Sequence, residues 1–285
     1  MAVYKRQYKG YSGRITPAWS RFFILTRNGW TRLFQSRFIA IYLAVCGFFP
    51  LLCAAYIYLR HNPTFMTLLR VRNNVLPIDG SFFYYICVVQ GSLAFLLTAF
   101  VGPSMVSPDL VNGAMPLYLC RPFSRAEYVA GKLILLLYIL ALITWIPGLI
   151  LFIVQGTEEG FDWVSANLWI AEGLVLGLFV WTLVLSLLAL AMSAWVKWRI
   201  AAGALVLGVF FGGAGFGAAI NNIMRTNYGT LLDLNQVAHV VWADLLRYDN
   251  NADISVGQAW LALTAAALIS GWLLTRRVRA FEVIR

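Results

Sequence analysis

The sequence predicts an all-α integral membrane protein with six transmembrane helices, both termini in the cytoplasm and an amphipathic helix at the N-terminal membrane interface. The first observation is composition: of 285 residues, 61% are hydrophobic and 12% charged, and the mean hydropathy is +0.74. Soluble domains have roughly 45–50% apolar and about 25% charged residues. The second is a set of six nearly uncharged runs, each long enough for a crossing of about 20 residues. The third is the unequal distribution of basic residues between the connectors.

The N-terminal segment 1–37 carries eight Lys or Arg and no acid, and we interpret it as a cytoplasmic basic tail followed by an interfacial helix. Over 18–37 aromatic residues alternate with arginines, as in helices that place rings at the headgroup level and arginines on lipid phosphates. An ordinary flanking segment is the alternative. The residues that carry the interfacial prediction are Trp19, Arg21, Phe22, Arg27, Trp30 and Arg32.

The transmembrane domain covers 38–275. Its six predicted spans are 38–59, 82–106, 133–154, 168–195, 200–224 and 257–275. Pro50 predicts a kink in the first span, and the Pro147-Gly148 pair predicts a bend in the third, because proline removes a helical hydrogen bond.

The fifth span is rich in small residues. Two pairs of glycines have the four-residue spacing that lets helix backbones approach closely. The spacing fits a tightly packed helix neighbour, and it also fits a helix that lines a pathway or faces a second chain. The glycines are Gly208, Gly212, Gly213 and Gly217.

Charge distribution predicts the orientation. The segments 1–37, 107–132, 197–199 and 276–285 lie on one side of a six-span protein and hold seventeen of the basic residues, against three acids. The other connectors hold five basic and eight acidic residues. Since positively charged connectors stay in the cytoplasm, both termini and the 107–132 segment are predicted to be cytoplasmic. This placement explains the net charge of +10 without nucleic-acid binding.

The longest acidic connector, 225–256, lies on the predicted outer side. Leu234, Val237, Val241 and Leu245 recur at helical spacing, which predicts a helix that lies on the outer surface or dips partly into the bilayer. An outer-face partner could dock there. Glu172 is the one acid inside a span, about one turn from its outer end, where it can reach water.

Patterns of catalytic chemistry are absent from the sequence. It contains no His-Glu-x-x-His zinc pattern, no Gly-x-Ser-x-Gly and no phosphate-binding Gly-x-x-x-x-Gly-Lys-Ser/Thr loop, so neither enzyme activity nor ATP binding by this chain is expected. The cysteines Cys46, Cys53 and Cys87 lie in apolar runs, where small buried side chains are the expected role, and Cys120 lies in a polar connector.

The polar connector 107–132 has helix signals at both ends. Ser107-Pro108 predicts a helix start, with Asp109 in the first turn against the positive end of the helix dipole. The pattern closes at Arg121-Pro122, since the residue before proline disfavours helical geometry. Ser124 and Glu127 have capping-box spacing, which predicts a second helix that runs through Lys132 into the third span.

These residues resemble the signature of type-2 ATP-binding-cassette (ABC) exporter permeases, in which an acidic residue precedes Gly-Thr, a leucine-rich helix, Pro-Val-Ser-Arg and Gly-Lys. The chain has Asn-Gly-Ala in place of Glu-Gly-Thr, and Phe123 in place of Val. The motif covers about a tenth of the chain. The matching residues are Asp109, Asn112-Gly113-Ala114, Leu117-Tyr118-Leu119, Arg121-Pro122-Phe123-Ser124-Arg125, Glu127-Tyr128 and Gly131-Lys132.

The resemblance implies the membrane subunit of an ABC exporter in a bacterial inner membrane. Two permease chains, identical or different, would pair with two copies of a cytoplasmic ATPase subunit that binds ATP and Mg. By this analogy 18–37 is the connecting helix, 108–119 is the coupling helix, and spans two and five line the path between the chains. The residues expected to couple to the ATPase subunit are Asp109, Leu110, Gly113, Leu117, Arg121, Pro122, Ser124, Arg125, Glu127 and Lys132.

Three other functions fit the sequence. An ion-coupled carrier would depend on Glu172. A permease-like transmitter would pass ATP-driven motion to a partner at 225–256 without transporting a substrate. A structural scaffold would keep working when Ser124 to Glu127 are substituted. The sequence does not indicate a substrate.

Overall fold

The computed structural model describes residues 22–62, 77–113, 124–250 and 253–277, and within these ranges the protein is helical and contains no strand. A 3₁₀ turn covers Tyr228–Leu232, between the helix that ends at Met224 and the helix that begins at Leu234. The helices are α1 (Phe22–Phe34), α2 (Arg37–His61), α3 (Gly80–Val101), α4 (Pro103–Val111), α5 (Arg125–Ile143), α6 (Trp145–Glu159), α7 (Phe161–Ala166), α8 (Leu168–Trp195), α9 (Arg199–Met224), α10 (Leu234–Leu245) and α11 (Val256–Arg277).

In the part of the chain that the structure describes, six helical segments are long and apolar enough to cross a membrane: α2, α3 with α4, α5 with α6, α8, α9 and α11. They coincide with the six predicted spans, which are thereby confirmed by length and composition. The fold is that of a multi-pass membrane protein.

Helix α8 forms the centre of the bundle and contacts α3, α4, α5, α9, α10 and α11. Its most apolar stretch is 67% buried, against 17% for the corresponding stretches of α2 and α11. The fully buried Trp181 donates its indole N–H to the backbone oxygen of Gly91 in α3, at 3.1 Å. Because an unpaired buried polar group costs roughly 1–3 kcal/mol, this hydrogen bond helps to hold α3 against α8.

The second span is interrupted between α3 and α4 at Gly102, whose backbone keeps helical dihedral angles (φ −53°, ψ −47°). A side-chain carbon at Gly102 would overlap Ala189 of α8, so a glycine permits the close approach at this position. Pro103 occupies the first position of α4, where its missing N–H costs no helical hydrogen bond.

The predicted helix start at Ser107-Pro108 is wrong, since both residues lie inside α4. Asp109 therefore lies near the C-terminal end of that helix and not in its first turn. The helix ends at Val111, followed by a turn with Gly113 at φ +63°. A single coupling helix over 108–119 is thus also wrong, although residues 114–123 lie outside the described part.

The third span is interrupted at Thr144, between α5 and α6, so the break falls slightly before the predicted Pro147-Gly148 bend. Pro147 lies in the first turn of α6, where it is tolerated. Pro50 lies inside α2, which continues through it to His61.

The predicted helix in the outer connector is confirmed as α10, and it is packed into the bundle. Leu234, Val237 and Val241 are buried, and Leu245 is partly buried. Trp242 is 1% exposed and lies edge-on to Trp181 of α8, with ring centroids 5.7 Å apart.

Four glycines of α3 and α8 form the seat of α10. A side-chain carbon at any of them would overlap or press against Trp242, Leu245 or Leu246. The N-terminal halves of α3 and α8 are therefore built to receive the connector helix. The glycines are Gly80, Gly91, Gly173 and Gly177.

His239 lies on the same connector helix, with Nδ1 3.5 Å from the Tyr84 hydroxyl and its ring next to Trp242. Burial lowers the pKa of His239 below its ordinary value, and the nearby Asp233 opposes this only in part. The imidazole is therefore neutral at pH 7.

Candidate functional site

Helices α4 and α5, which form the two ends of the 107–132 connector, are held together by a clasp of three side chains, Asp109, Tyr128 and Lys132. The Lys132 ammonium lies 2.9 Å from Asp109 Oδ2, and the Tyr128 hydroxyl donates to the same oxygen at 2.7 Å. Lys132 also lies 5.5 Å from the centre of the Tyr128 ring. Tyr128 is almost completely buried, and the charged side chains are mostly shielded from water. This clasp fixes the end of α4 against the first turns of α5.

The start of α5 has the predicted capping box. The Glu127 backbone N–H donates to Ser124 Oγ at 3.2 Å, and the Ser124 N–H donates to the Glu127 carboxylate at 2.6 Å. Both interactions satisfy N–H groups that a helix start leaves unpaired. The third span therefore begins from a rigid end.

Helix α1 packs along the same end of α5. The Thr26 hydroxyl donates to the Gly131 backbone oxygen at 3.1 Å, and the Trp30 ring lies 4.4 Å from the Tyr138 ring. Gly29 lies against the Leu135 side chain so closely that an added carbon would overlap it. A push on α5 would therefore move α1 as well.

The residues predicted to lie in the membrane interface differ in how far they are exposed. Arg27 is exposed and Trp30 is partly buried against α5. Trp19 and Arg21, and the side chains of Phe22 and Arg32, lie outside what the structure describes. The location of α1 in a membrane interface remains a prediction.

A buried hydroxyl joint connects α4 to the end of α8. Ser193 Oγ accepts the backbone N–H groups of Val106 and Ser107 at 3.1 and 2.9 Å, and it donates to the Pro103 oxygen at 2.9 Å. Ser107 Oγ lies 2.7 Å from the Val196 oxygen, where α8 ends. Backbone donors in the first turns of α4 are thus satisfied from a neighbouring span.

Some of the predicted coupling residues pack against the protein, and others are exposed on its surface. Asp109 and Lys132 form the clasp, and Leu110 packs partly against the core. Gly113, Ser124 and Arg125 are exposed. Glu127 lies between the two groups, in the capping box. Leu117, Arg121 and Pro122 lie outside the described residues.

The four glycines of the fifth span also separate into pairs. Side-chain carbons at Gly213 and Gly217 would press on the backbone oxygens of Leu232 and Gly229, in the 3₁₀ turn that follows α9. Their close neighbour is therefore this turn and not another span. Gly208 and Gly212 have open space where a side chain would be.

Other candidate groups take structural positions. Glu172 is exposed on α8, beside a shallow apolar groove that Leu149 and Phe179 help to line. Within the described ranges, no three His, Cys, Asp or Glu side chains are grouped to hold a metal ion. The predicted role of the cysteines in apolar runs is confirmed for Cys46, Cys53 and Cys87, which are free and buried.

Sequence reasoning missed Ser193 and the glycine seat of α10. The four-residue spacing of Gly173 and Gly177 is the same signal that marked the fifth span, so the seat was detectable. Ser193 is a single serine in an apolar run, and no local pattern identifies its partners on α4.

We compared the chain with protein-family models and with curated proteins: no family model matches it, and no curated protein matches it.

Proposed function

We propose that this chain is the permease subunit of an ATP-driven exporter, moved by a separate cytoplasmic ATPase through the connector between the second and third spans. The observation that carries the proposal is the clasp of Asp109, Tyr128 and Lys132, which joins the two helices flanking this connector and leaves Arg125 exposed beside it. The resemblance of the 109–132 motif to type-2 ABC exporter permeases supports the same function.

A connector transmits displacement when its ends are rigid and continuous with the spans. The capping box pairs the backbone N–H groups of Ser124 and Glu127 at the start of α5. The clasp holds α4 to α5, and the Ser193 joint holds α4 to α8. Force applied at Ser124 or Arg125 would therefore reach the second, third and fourth spans together.

The proposed surroundings follow from the charge distribution. The exposed residues near the clasp would face the cytoplasm of a bacterial cell, with two permease chains sharing two ATPase subunits. ATP and Mg would bind the ATPase subunits. The open faces at Gly208 and Gly212 are compatible with a second permease chain beside α9.

The test is purification of the full-length chain from its native membrane in mild detergent. We expect an ATPase subunit to co-purify in a fixed ratio, and we expect vesicles containing both proteins to hydrolyse MgATP. An active complex that contains no ATPase would contradict the proposal.

The Arg125→Glu substitution tests the connector itself. Arg125 is exposed and takes no part in the clasp or the capping box, so the variant should fold normally. We expect the permease variant to stimulate ATP hydrolysis by the ATPase subunit at least about tenfold less than the unsubstituted permease does. Glu127→Ala is a less specific test, because loss of the cap costs about 0.5–2 kcal/mol of stability. Arg225→Glu makes the same charge change at an exposed residue at the opposite end of the bundle and serves as the control. Equal activity of the two variants would refute the role of the connector.

The alternatives predict other results in the same vesicles. An ion-coupled carrier would stop when the proton gradient collapses, and Glu172→Gln would abolish its transport. A transmitter would hydrolyse ATP without moving any labelled compound. A scaffold would tolerate Arg125→Glu in every assay.

A further inference from the structure

Four basic side chains lie where α8 ends, α9 begins and α11 ends. All four are exposed. Within the described residues, the ion pairs are His61 with Glu159 and Lys132 with Asp109, so no described carboxylate pairs with any of the four. In a six-span protein, α8 is the fourth span and α11 the sixth, so both end on the side of the membrane from which the first span starts. The four residues are Lys197, Arg199, Arg276 and Arg277.

Two of these cations lie over tryptophan rings. The Arg276 guanidinium lies 4.0 Å from the centre of the Trp272 ring, and that of Arg277 lies 5.6 Å from Trp195. The Trp195 indole N–H donates to the Leu273 backbone oxygen at 3.2 Å, which ties the end of α8 to α11. A guanidinium stacked on a ring keeps its in-plane N–H donors free for an oxyanion.

The surface beside these cations is apolar and open. Trp198 is 79% exposed and lies in the short turn with Lys197, and Ile200 is 88% exposed and follows Arg199 in the first turn of α9. Tryptophan at the end of a membrane span is typical of the headgroup region. A ligand that fits here has an anionic head and an apolar part alongside it.

We propose that this basic-tryptophan cluster (Lys197, Arg199, Arg276, Arg277, Trp195 and Trp272) is a binding site for the phosphate headgroup of an anionic phospholipid. The two arginines over the tryptophan rings supply the donors, and the exposed Trp198 and Ile200 contact the acyl region. A free phosphate ion would use the cations but gain nothing from the apolar surface. Basic clusters at the cytoplasmic ends of spans bind anionic lipids by this chemistry. The proposal does not depend on the exporter function.

The test compares lipid binding to the purified full-length protein by native mass spectrometry. Phosphatidylglycerol and phosphatidylcholine with identical acyl chains are titrated separately, so that only the headgroup differs. We expect phosphatidylglycerol to bind at least about tenfold more tightly, and we expect this preference to fall within about twofold in Lys197→Gln/Arg199→Gln/Arg276→Gln/Arg277→Gln. The matched control, Lys5→Gln/Arg6→Gln/Lys9→Gln/Arg14→Gln, removes four charges elsewhere and should keep the preference.

A second variant distinguishes a built site from general surface charge. Arg276→Lys/Arg277→Lys keeps both charges but loses the planar guanidinium groups with their paired N–H donors, so the preference should drop several-fold while thermal stability stays unchanged. The proposal is overturned if this variant keeps the full preference, if both quadruple variants lose it equally, or if inorganic phosphate displaces the lipid at equal concentration.

Discussion

Ser193 and Ser186 lie two turns apart on α8, and both side chains are fully buried, but their hydrogen bonding differs. Ser193 Oγ has three backbone partners on α4, whereas Ser186 Oγ has no partner within the described structure. The same change at the two positions should therefore have different consequences.

We expect Ser193→Ala to lower the free energy of unfolding by about 1–3 kcal/mol, because it leaves buried backbone groups of α4 without a partner. Ser186→Ala should be neutral or slightly stabilising, since it removes a buried hydroxyl that makes no hydrogen bond. Reversible unfolding in mixed micelles measures both variants. Equal losses of unfolding free energy in the two variants would show that the hydrogen bonds of Ser193 add no stability beyond the packing of its hydroxyl.

The clasp makes a second prediction at the residue scale. Asp109→Asn leaves the Lys132 ammonium partly buried without its carboxylate, and we expect a loss of about 1–3 kcal/mol. Lys132→Met in the same background should recover part of this loss, because the unpaired charge is then gone. A double-mutant cycle on unfolding free energies measures the coupling. Strict additivity of the two single changes would contradict a direct interaction.

A helix boundary could be predicted from the sequence where neighbouring residues determine it, and not where a residue far along the chain does. The start of α5 was predictable because Ser124 and Glu127 are three residues apart and cap each other. The start of α4 was not predictable from local signals, since Pro103 and Pro108 each permit a helix start. Ser193 lies 86 residues after Ser107 in the chain; it accepts the N–H groups of Val106 and Ser107 and donates to the Pro103 oxygen, and these contacts hold the residues before Pro108 inside α4.

The glycines of α9 show the same limit. Their spacing predicted a close approach, but the neighbour of Gly213 and Gly217 is the 3₁₀ turn that follows the helix. The spacing of glycines predicts that another backbone packs closely against the helix, but it does not identify the segment to which that backbone belongs.

We expect Gly217→Ala to destabilise the protein by about 1–3 kcal/mol, because the added carbon meets the rigid backbone oxygen of Gly229. Gly208→Ala should be neutral or stabilising by up to about 1 kcal/mol in the monomer, since the space there is open and alanine favours the helix. Thermal unfolding in detergent separates the two variants. A greater loss in Gly208→Ala would mean that the isolated chain buries that face.

For the whole molecule, composition and six apolar runs were sufficient to predict the spans, because membrane crossing is set by length and hydropathy. The placement of α10 required knowledge of the assembled bundle. Leu234, Val237 and Val241 predicted a helix with one apolar face, and only the four-glycine seat in α3 and α8 shows that this face is buried inside the protein.

The orientation of the bundle is the remaining whole-molecule prediction, and it rests on the bias of seventeen basic residues against five. Single cysteines at Ala126 and Asp249, both exposed, lie on opposite sides of a six-span protein. In a background with Cys120→Ser, an impermeant maleimide should label Asp249→Cys on intact cells and Ala126→Cys only after the membrane is opened. The buried Cys46, Cys53 and Cys87 should stay unlabelled in both cases, and the Cys120→Ser parent measures any residual signal. Labelling of Ala126→Cys on intact cells would place the clasp outside the cell, where no cytoplasmic ATPase could reach Arg125, and the proposed function would fail with the orientation.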